Sequence, residues 1–167
     1  PDGKRVVCLA RAWQKGSILV DGKEMVSGFA AHKFVISPAG DIGAIVSPGE
    51  DGRKKLFLNG KPVVDDAADV VFSPDGKRWA AICALNQKAW VITSEGQRHK
   101  EYWPIANVTF TPDSSKLVYV ASTGDVNYVV TDGKDAFSIV AVRNGDVDAN
   151  DKEGGALGAK IPKLSQF

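Results

Sequence analysis

The sequence has few of the residues that build metal sites. Among its 167 residues there are only two histidines, His32 and His99, and two cysteines. No Cys-x-x-Cys, His-x-x-x-His or Glu-x-x-His spacing occurs, although zinc sites usually carry such spacings. We therefore predict no metal site and no cofactor, and we expect His32 to be a surface residue rather than a ligand.

The sequence also lacks the signature of a nucleophilic enzyme. No Gly-x-Ser-x-Gly elbow is present, and Ser37 and Ser73 share one position of a repeated turn, which is a structural reason for a serine there. The order of a catalytic triad varies between folds, so sequence order alone does not exclude one. We predict that the chain is not an enzyme and that it has no catalytic residues.

An excess of charge of one sign is missing as well. Lys and Arg number 21 and Asp and Glu number 20, which leaves a net charge of +1. Binding to a nucleic acid depends on a concentration of positive charge, so we expect no nucleic-acid partner. The longest apolar runs have the length of a strand, far below the roughly 20 residues of a membrane-spanning helix, and we expect no direct membrane insertion.

The sequence does not determine the cellular compartment of the protein. We interpret Cys8 and Cys83, which fall at different phases of the repeat described below, as two buried, unpaired thiols. The chain begins at Pro1, inside a motif that recurs later, so both a whole protein and a fragment that has lost a leader or further repeats are compatible with it.

The sequence does contain one pattern that is repeated four times. A turn proline recurs at steps of 37, 36 and 38 residues, and a second turn glycine recurs at steps of 38, 36 and 37 residues. Two independent markers with one period indicate a repeat architecture. The prolines are Pro1, Pro38, Pro74 and Pro112, and the glycines are Gly22, Gly60, Gly96 and Gly133.

Each repeat reads as a series of antiparallel strands. A β-branched and aromatic run such as Val70–Phe72 precedes the proline turn, and a run such as Ile42–Val46, apolar at successive positions, follows it. An apolar run of this kind is typical of a strand that is covered by protein on both faces. A third strand then ends at Asp-Gly or Asn-Gly, the strongest short signal of a hairpin, and a weaker fourth strand follows, for example at 101–103.

The segments Val71–Arg78 and Phe110–Asp113 carry a family resemblance. They resemble the PD40, or WD40-like, repeat of TolB-like propellers and of the propeller domains of prolyl-oligopeptidase-type enzymes. The resemblance implies a protein-interaction scaffold or accessory subunit of a larger, bacterial envelope complex, with a protein partner and a periplasmic rather than cytoplasmic location. It equally admits a propeller that gates substrate in a larger hydrolase. The turns at 38–41 and 112–115 depart from the Pro-Asp-Gly pattern, and we expect them to be looser than the turns that keep it.

The predicted fold is therefore all-β, a four-bladed β-propeller over residues 1–146. We expect a C-terminal strand to close the ring by completing the first blade. The rival arrangements are an eight-bladed ring made by two chains, which would be a homo-oligomer, and an arc of a larger propeller. The predicted blades are 1–30 plus 137–142, 31–68, 69–106 and 107–136, followed by a loosely ordered tail at 147–167.

Two groups of residues are candidates for binding. If the first strand of each blade lines the axis, the residue five before each turn proline lies at one mouth of the channel, which would suit a ligand. These residues and their equivalent in the last copy are Lys33, Asp69, Asn107 and Ser138, and they are also compatible with ordinary strand starts in water. Trp13 and Trp103 fall at a polar loop and at a blade edge, and both interface and packing roles are open for them.

One stretch near the C-terminus partly resembles a calcium loop. Asp146, Asp148 and Asn150 place oxygen ligands on alternate residues, as calcium loops do. The glycine expected at the sixth position and the glutamate expected at the twelfth are replaced by Asp151 and Leu157. An acidic, glycine-rich, disordered tail would account for the same residues, so calcium binding stays one of two alternatives.

Overall fold

The computed structural model describes residue 3, residues 5–124 and residues 126–140. This part of the chain forms fourteen strands and no helix, as predicted for an all-β repeat protein. The candidate calcium ligands Asp146, Asp148 and Asn150 and the predicted tail lie outside the described residues. The strands are β1 (Val7–Ala12), β2 (Lys15–Val20), β3 (Lys23–Gly28), β4 (Ala30–Ile36), β5 (Ile42–Ser47), β6 (Lys55–Leu58), β7 (Lys61–Asp65), β8 (Ala67–Phe72), β9 (Trp79–Leu85), β10 (Lys88–Thr93), β11 (Ile105–Phe110), β12 (Leu117–Thr123), β13 (Val126–Thr131) and β14 (Lys134–Val140).

The strands form four antiparallel sheets, one for each repeat. Sheet 1 contains β1–β2–β3, sheet 2 contains β4–β5–β6–β7, sheet 3 contains β8–β9–β10, and sheet 4 contains β11–β12–β13–β14. In sheet 3 the expected fourth strand is reduced to two isolated bridges, Ala89 with Tyr102 and Ile92 with Arg98. Within each sheet, strands that are adjacent in the chain pair with one another, several of them through two-residue connections.

The Asp-Gly and Asn-Gly hairpins are confirmed. Both central residues have a positive φ, for example 51° at Asp21 and 77° at Gly22, which is the backbone of a type I′ turn. The Asp21 carboxylate also accepts a hydrogen bond of 2.8 Å from the backbone N–H of Val6, and Asn59 and Asp132 accept the equivalent bonds in sheets 2 and 4. The side chain thus fastens the hairpin to the neighbouring strand.

The proline turns are tighter than predicted in the two variant copies. Ser114 takes a φ of 62°, in the region where the other copies place Gly40 and Gly76. Its backbone N–H donates to the carbonyl of Thr111 at 2.8 Å, against 2.9 Å for the equivalent bond of Gly76 to Ser73. The prediction of looser corners is therefore wrong: Ser114 takes the left-handed backbone and keeps the turn hydrogen bond, and Gly40 donates the equivalent bond to Ser37 at 2.9 Å.

The sheets stack face to face in chain order. Three apolar clusters fill the spaces between sheets 1 and 2, sheets 2 and 3, and sheets 3 and 4. Strand β5 lies between two of these clusters, and all six of its residues are buried, as its unbroken apolar run predicts. Ala44 on one face belongs to the first cluster and Ile45 on the other face to the second.

Strand β1 departs from that prediction. It occupies the same position in sheet 1 as β5 in sheet 2, yet half of its residues are exposed, and Cys8 is an exposed free thiol rather than a buried one. Leu9 packs on the cluster shared with sheet 2, whereas Cys8 points to the opposite face of the sheet. Among the described residues that face has no sheet against it. Cys83 is buried, as predicted.

The predicted ring closure is wrong for the described residues. The strand expected at 137–142 begins at Lys134 and pairs with β13, so that Phe137 lies opposite Val129 in sheet 4. The reason is local: the two-residue turn Asp132–Gly133 returns the chain directly along β13, and that pairing continues to Val140. The strand therefore completes the fourth blade and not the first, and the four sheets do not close into a ring.

The close approach of sheets 1 and 2 gives a test of this stacking. A Cβ added at Gly16 would lie 2.1 Å from the backbone nitrogen of Ala31, which is far inside van der Waals contact. We expect Gly16→Ala to lower the free energy of unfolding by about 3 kcal/mol, because the strands β2 and β4 must move apart. Urea unfolding followed by circular dichroism measures this.

The matched control is Gly49→Ala. A Cβ at Gly49 meets only the Asp51 carboxylate at 3.6 Å, an ordinary contact, and we expect a change within about 0.5 kcal/mol. If Gly16→Ala were as stable as Gly49→Ala, the stacking of sheet 1 on sheet 2 would be incorrect.

Candidate interaction face

One end of the four sheets carries the linkers that lead from each sheet to the next. In a blade of four antiparallel strands, the turn between the second and third strands lies at the same end as the connection to the next sheet. Sheet 1 lacks the first of these strands, so its equivalent turn joins β1 and β2. The proline turns and the Asp-Gly hairpins lie at the opposite end. We call the first end the linker face; it consists of residues 12–15, 29, 48–54, 66, 85–88, 103–104 and 123–124.

Clefts between neighbouring sheets open along this end. A cleft of about 250 Å³ between sheets 1 and 2 is lined by Lys15 and Phe29. The next, of about 300 Å³ between sheets 2 and 3, is lined by Asp66 and Leu85. A third, of about 430 Å³ between sheets 3 and 4, includes Trp103. Each cleft combines a hairpin of one sheet with the linker to the next.

The linker face carries most of the large hydrophobic side chains that reach solvent. Among the described residues there are seven such side chains, and four of them are on this face: Trp13 at 90% exposed, Trp103 at 51%, Leu85 at 40% and Phe29 at 36%. The others are spread over an edge and two outer strands. A concentration of exposed apolar groups on one face is typical of a surface that contacts another molecule.

Trp13 is exposed because of where the chain reverses. Trp13 and Gln14 are the two central residues of the β1–β2 hairpin, and Gln14 has a φ of 55°. A side chain at the tip of such a turn extends beyond the sheet and has no core to enter. Trp90, by contrast, lies within β10, is 8% exposed and packs in the cluster between sheets 2 and 3.

Of the predicted axial residues, the structure brings two together. The Lys33 ammonium lies 2.5 Å from the Asp69 carboxylate, and the pair joins the first strands of sheets 2 and 3. Each residue follows a β-bulge, at His32 in β4 and at Ala68 in β8. The extra residue of a bulge turns the next side chain out of the regular alternation, which lets Lys33 face the neighbouring sheet.

The other two axial candidates are placed differently. Asn107 lies in β11, the first strand of sheet 4, within a similar bulge and with a φ of 54°, and its side chain is exposed. Ser138 lies in β14 opposite Tyr128, on the outer strand of sheet 4. Two strands, β12 and β13, therefore separate Ser138 from the first strand of its own sheet, because β14 extends sheet 4 rather than sheet 1.

Sequence reasoning missed two residues of the linker face, Phe29 and Leu85. They belong to different repeats and occupy different phases of the period, so no repeat position marks them. The available signal was topological. Once the strands are known to be antiparallel, alternate connections must share one end of the sheets, and the apolar residues in those connections can be selected.

A polar network between sheets 3 and 4 is internally satisfied. The Tyr102 hydroxyl donates to the Asp135 carboxylate, which also lies 3.3 Å from the Lys100 ammonium. The hydrogen bond from Tyr102 holds the pKa of Asp135 below its usual value. His99 lies 3.1 Å from the hydroxyl of the buried Tyr119, and burial lowers the pKa of its ring. These groups bond to one another and join two sheets, so we assign them a structural role.

In the part of the chain that the structure describes, no group of three His, Cys, Asp or Glu side chains is arranged to hold a metal ion. No helix there has the length and apolar character needed to cross a bilayer.

The comparison with solved structures identifies the fold. TolB from Acinetobacter baumannii superposes on 78% of this chain with a TM-score of 0.50 and 17% identity. Hydrazine synthase from Kuenenia stuttgartiensis (TM-score 0.47, 14% identity, 83% of this chain) and the β-propeller domain of the Trilobed protease from Pyrococcus furiosus (TM-score 0.39, 12% identity, 84%) are more distant. No protein-family model and no curated protein matches the chain.

The likeness to TolB supports a β-propeller type of fold and nothing further at this level of identity. Membership of the PD40 family stays a prediction. The chain spans 40% of the length of that TolB, 46% of the hydrazine synthase chain and 44% of the protease propeller.

The exposure of the tryptophans can be measured by acrylamide quenching. We expect the double variant Trp13→Phe/Trp103→Phe to lose most of the quenchable fluorescence, because the remaining Trp79 and Trp90 are at least partly buried. Trp79→Phe is the control and should leave the quenching constant unchanged or higher. An unchanged constant in the double variant would show that Trp13 and Trp103 are packed.

The Lys33–Asp69 pair can be measured by a double-mutant cycle. Both side chains remain substantially exposed, at 46% and 39%, so solvent screens their attraction. We expect a coupling free energy of about 0.5 kcal/mol from Lys33→Met and Asp69→Asn in urea unfolding, and a smaller one at high salt. A coupling of zero at low salt would mean that the pair does not join the sheets in solution.

Proposed function

We propose that this chain is a protein-interaction module that binds a protein partner through its linker face. The observation that carries the proposal is the exposure of Trp13, Phe29, Leu85 and Trp103 on that one face. The opposite end of the sheets differs. There the proline turns contact one another, as when the Asp75 N–H donates to Ser114 Oγ at 3.0 Å.

The energetics favour a macromolecular partner. A buried tryptophan removes about 150–250 Å² of surface from water, and tryptophans are frequent among the residues that dominate interface affinity. Trp13 lies on sheet 1 and Trp103 on the linker between sheets 3 and 4, so one ligand that contacts both must extend across several sheets. The clefts between the sheets on this face are separate and open, which suits the irregular surface of a protein better than a single compact ligand.

The proposal includes an accessory rather than a catalytic role. The resemblance to TolB-like propellers supports a subunit of a larger assembly, and a bacterial envelope complex in the periplasm is the setting that the resemblance implies. In this proposal the aromatic residues of the linker face provide affinity, and the stacked sheets act as a rigid support that holds them in place.

The test is capture of partners from an extract of the source cell. We expect a protein retained by the immobilised wild-type chain to be lost with Trp13→Ala/Trp103→Ala. Each substitution should weaken binding by about 30-fold, because a central interface tryptophan typically contributes 2 kcal/mol or more.

The matched control is Phe137→Ala. Phe137 is 54% exposed, close to the 51% of Trp103, but it lies on the outer strand β14 away from the linker face. Circular dichroism spectra that match the wild type are required of every variant, so that a loss of binding is not a loss of folding. Equal retention of the partner by the double tryptophan variant and by wild type, or loss with Phe137→Ala alone, would overturn the proposal.

A further inference from the structure

The cleft between sheets 1 and 2 is the most positively charged part of the linker face. It lies between the end of the β1–β2 hairpin and the start of β4, and its lining includes Arg11, Lys15, Phe29 and His32. No carboxylate is among its lining residues. Because the whole chain has a net charge of only +1, this is a local concentration of cations. We call it the cationic cleft.

Arg11 is the cation of this cleft that remains available to a ligand. Lys15 already pairs with the Glu24 carboxylate at 2.9 Å, and this bond is the main reason that the pKa of Glu24 falls to about 2. Arg11 is exposed and forms no ion pair with any carboxylate in residues 5–124 and 126–140. Its guanidinium presents a planar set of donors that matches a carboxylate.

His32 is held in a fixed position beside Arg11. It is the bulged residue of β4, and its Nε2 lies 2.9 Å from the hydroxyl of the buried Ser47. The Ser47 hydroxyl in turn donates to the carbonyl of Gly52 at 3.3 Å. Burial of the ring and the nearby Lys54 and Arg11 lower the pKa of His32. A lowered pKa favours the neutral ring, so the positive charge in the lining of the cleft comes from Arg11 and Lys15 of sheet 1.

The size of the cleft limits what enters it. Its volume is about 250 Å³. Sites for small molecules and cofactors usually measure about 300–1,000 Å³. The volume of the cationic cleft therefore suits one side chain rather than a whole ligand. Trp13, at the tip of the hairpin that forms one wall, and Phe29 in the lining add apolar surface at its margin.

We infer that the cationic cleft binds an acidic side chain of the protein partner, with its carboxylate on Arg11 and flanking apolar residues on Trp13 and Phe29. The inference rests on the proposed function and specifies its chemistry: the partner contributes an acidic segment. Electrostatic complementarity of this kind selects the partner and sets the salt dependence of binding.

The experiment uses a labelled hexaglutamate peptide and the full chain, measured by fluorescence anisotropy. We expect binding at about 50 mM salt that weakens at about 300 mM salt, because screening shortens the range of the attraction. Hexaglutamine should not bind. Arg11→Glu should reduce the affinity for hexaglutamate about tenfold or more, since it replaces the attraction with repulsion.

The matched control is Lys61→Glu, which changes the net charge by the same amount. Lys61 is exposed at the start of β7, at the end of the sheets opposite the linker face. An equal loss of affinity in Lys61→Glu and Arg11→Glu would show a net-charge effect only and would overturn the inference. Displacement of the peptide by an equal concentration of inorganic phosphate would show a general anion site and would also overturn it.

The two proposals fail in different ways. If the captured partner depends on Trp13 and Trp103 but is retained by Arg11→Glu, the inference about the cationic cleft is wrong and the interaction face stands. If hexaglutamate binds through Arg11 while no partner depends on the tryptophans, the cleft binds acidic chains and the proposed function is wrong.

Discussion

The face-to-face packing of each sheet on the next is the constraint on which the rest of the structure depends. An antiparallel sheet of this size has an apolar face that must be covered, and here the neighbouring repeat covers it. Three clusters between four sheets result, with β5 buried on both sides. The stacking also aligns the sheets, so that the proline turns gather at one end and the linkers at the other. At the end with the proline turns, contacts such as the hydrogen bond from Arg5 to the Gly40 carbonyl join neighbouring sheets. At the linker face, Trp13 and Trp103 remain exposed to solvent.

Local chemistry made much of this fold predictable. The positive φ values of Asp21–Gly22 and Asn59–Gly60 follow from residues that tolerate the left-handed backbone. The burial of Ile42–Val46 follows from an apolar run too short for a helix. In these segments the preference of a few neighbouring residues agrees with the global arrangement, and sequence alone is then sufficient.

Where one strand could pair with either of two sheets, the sequence was not sufficient to predict the pairing. The strand at Phe137 suits the first sheet and the fourth equally well, and the short turn at Gly133 decided for the fourth. The displacement of Ser138 from the axial group follows from that choice. The prediction that Cys8 is buried was wrong because its burial depends on a neighbouring sheet and not on its own strand. The same limit applies to the cationic cleft, since Arg11 and His32 meet only after two sheets have packed.

The central claim is that the linker face is the surface that a partner covers. Amide hydrogen exchange of the full chain, with and without the captured partner, tests it most directly. We predict slower exchange in the β1–β2 and β9–β10 hairpins on binding, with unchanged exchange in the proline turns at 37–41 and 73–78. Protection confined to the proline turns or to the outer strand β14 would contradict it.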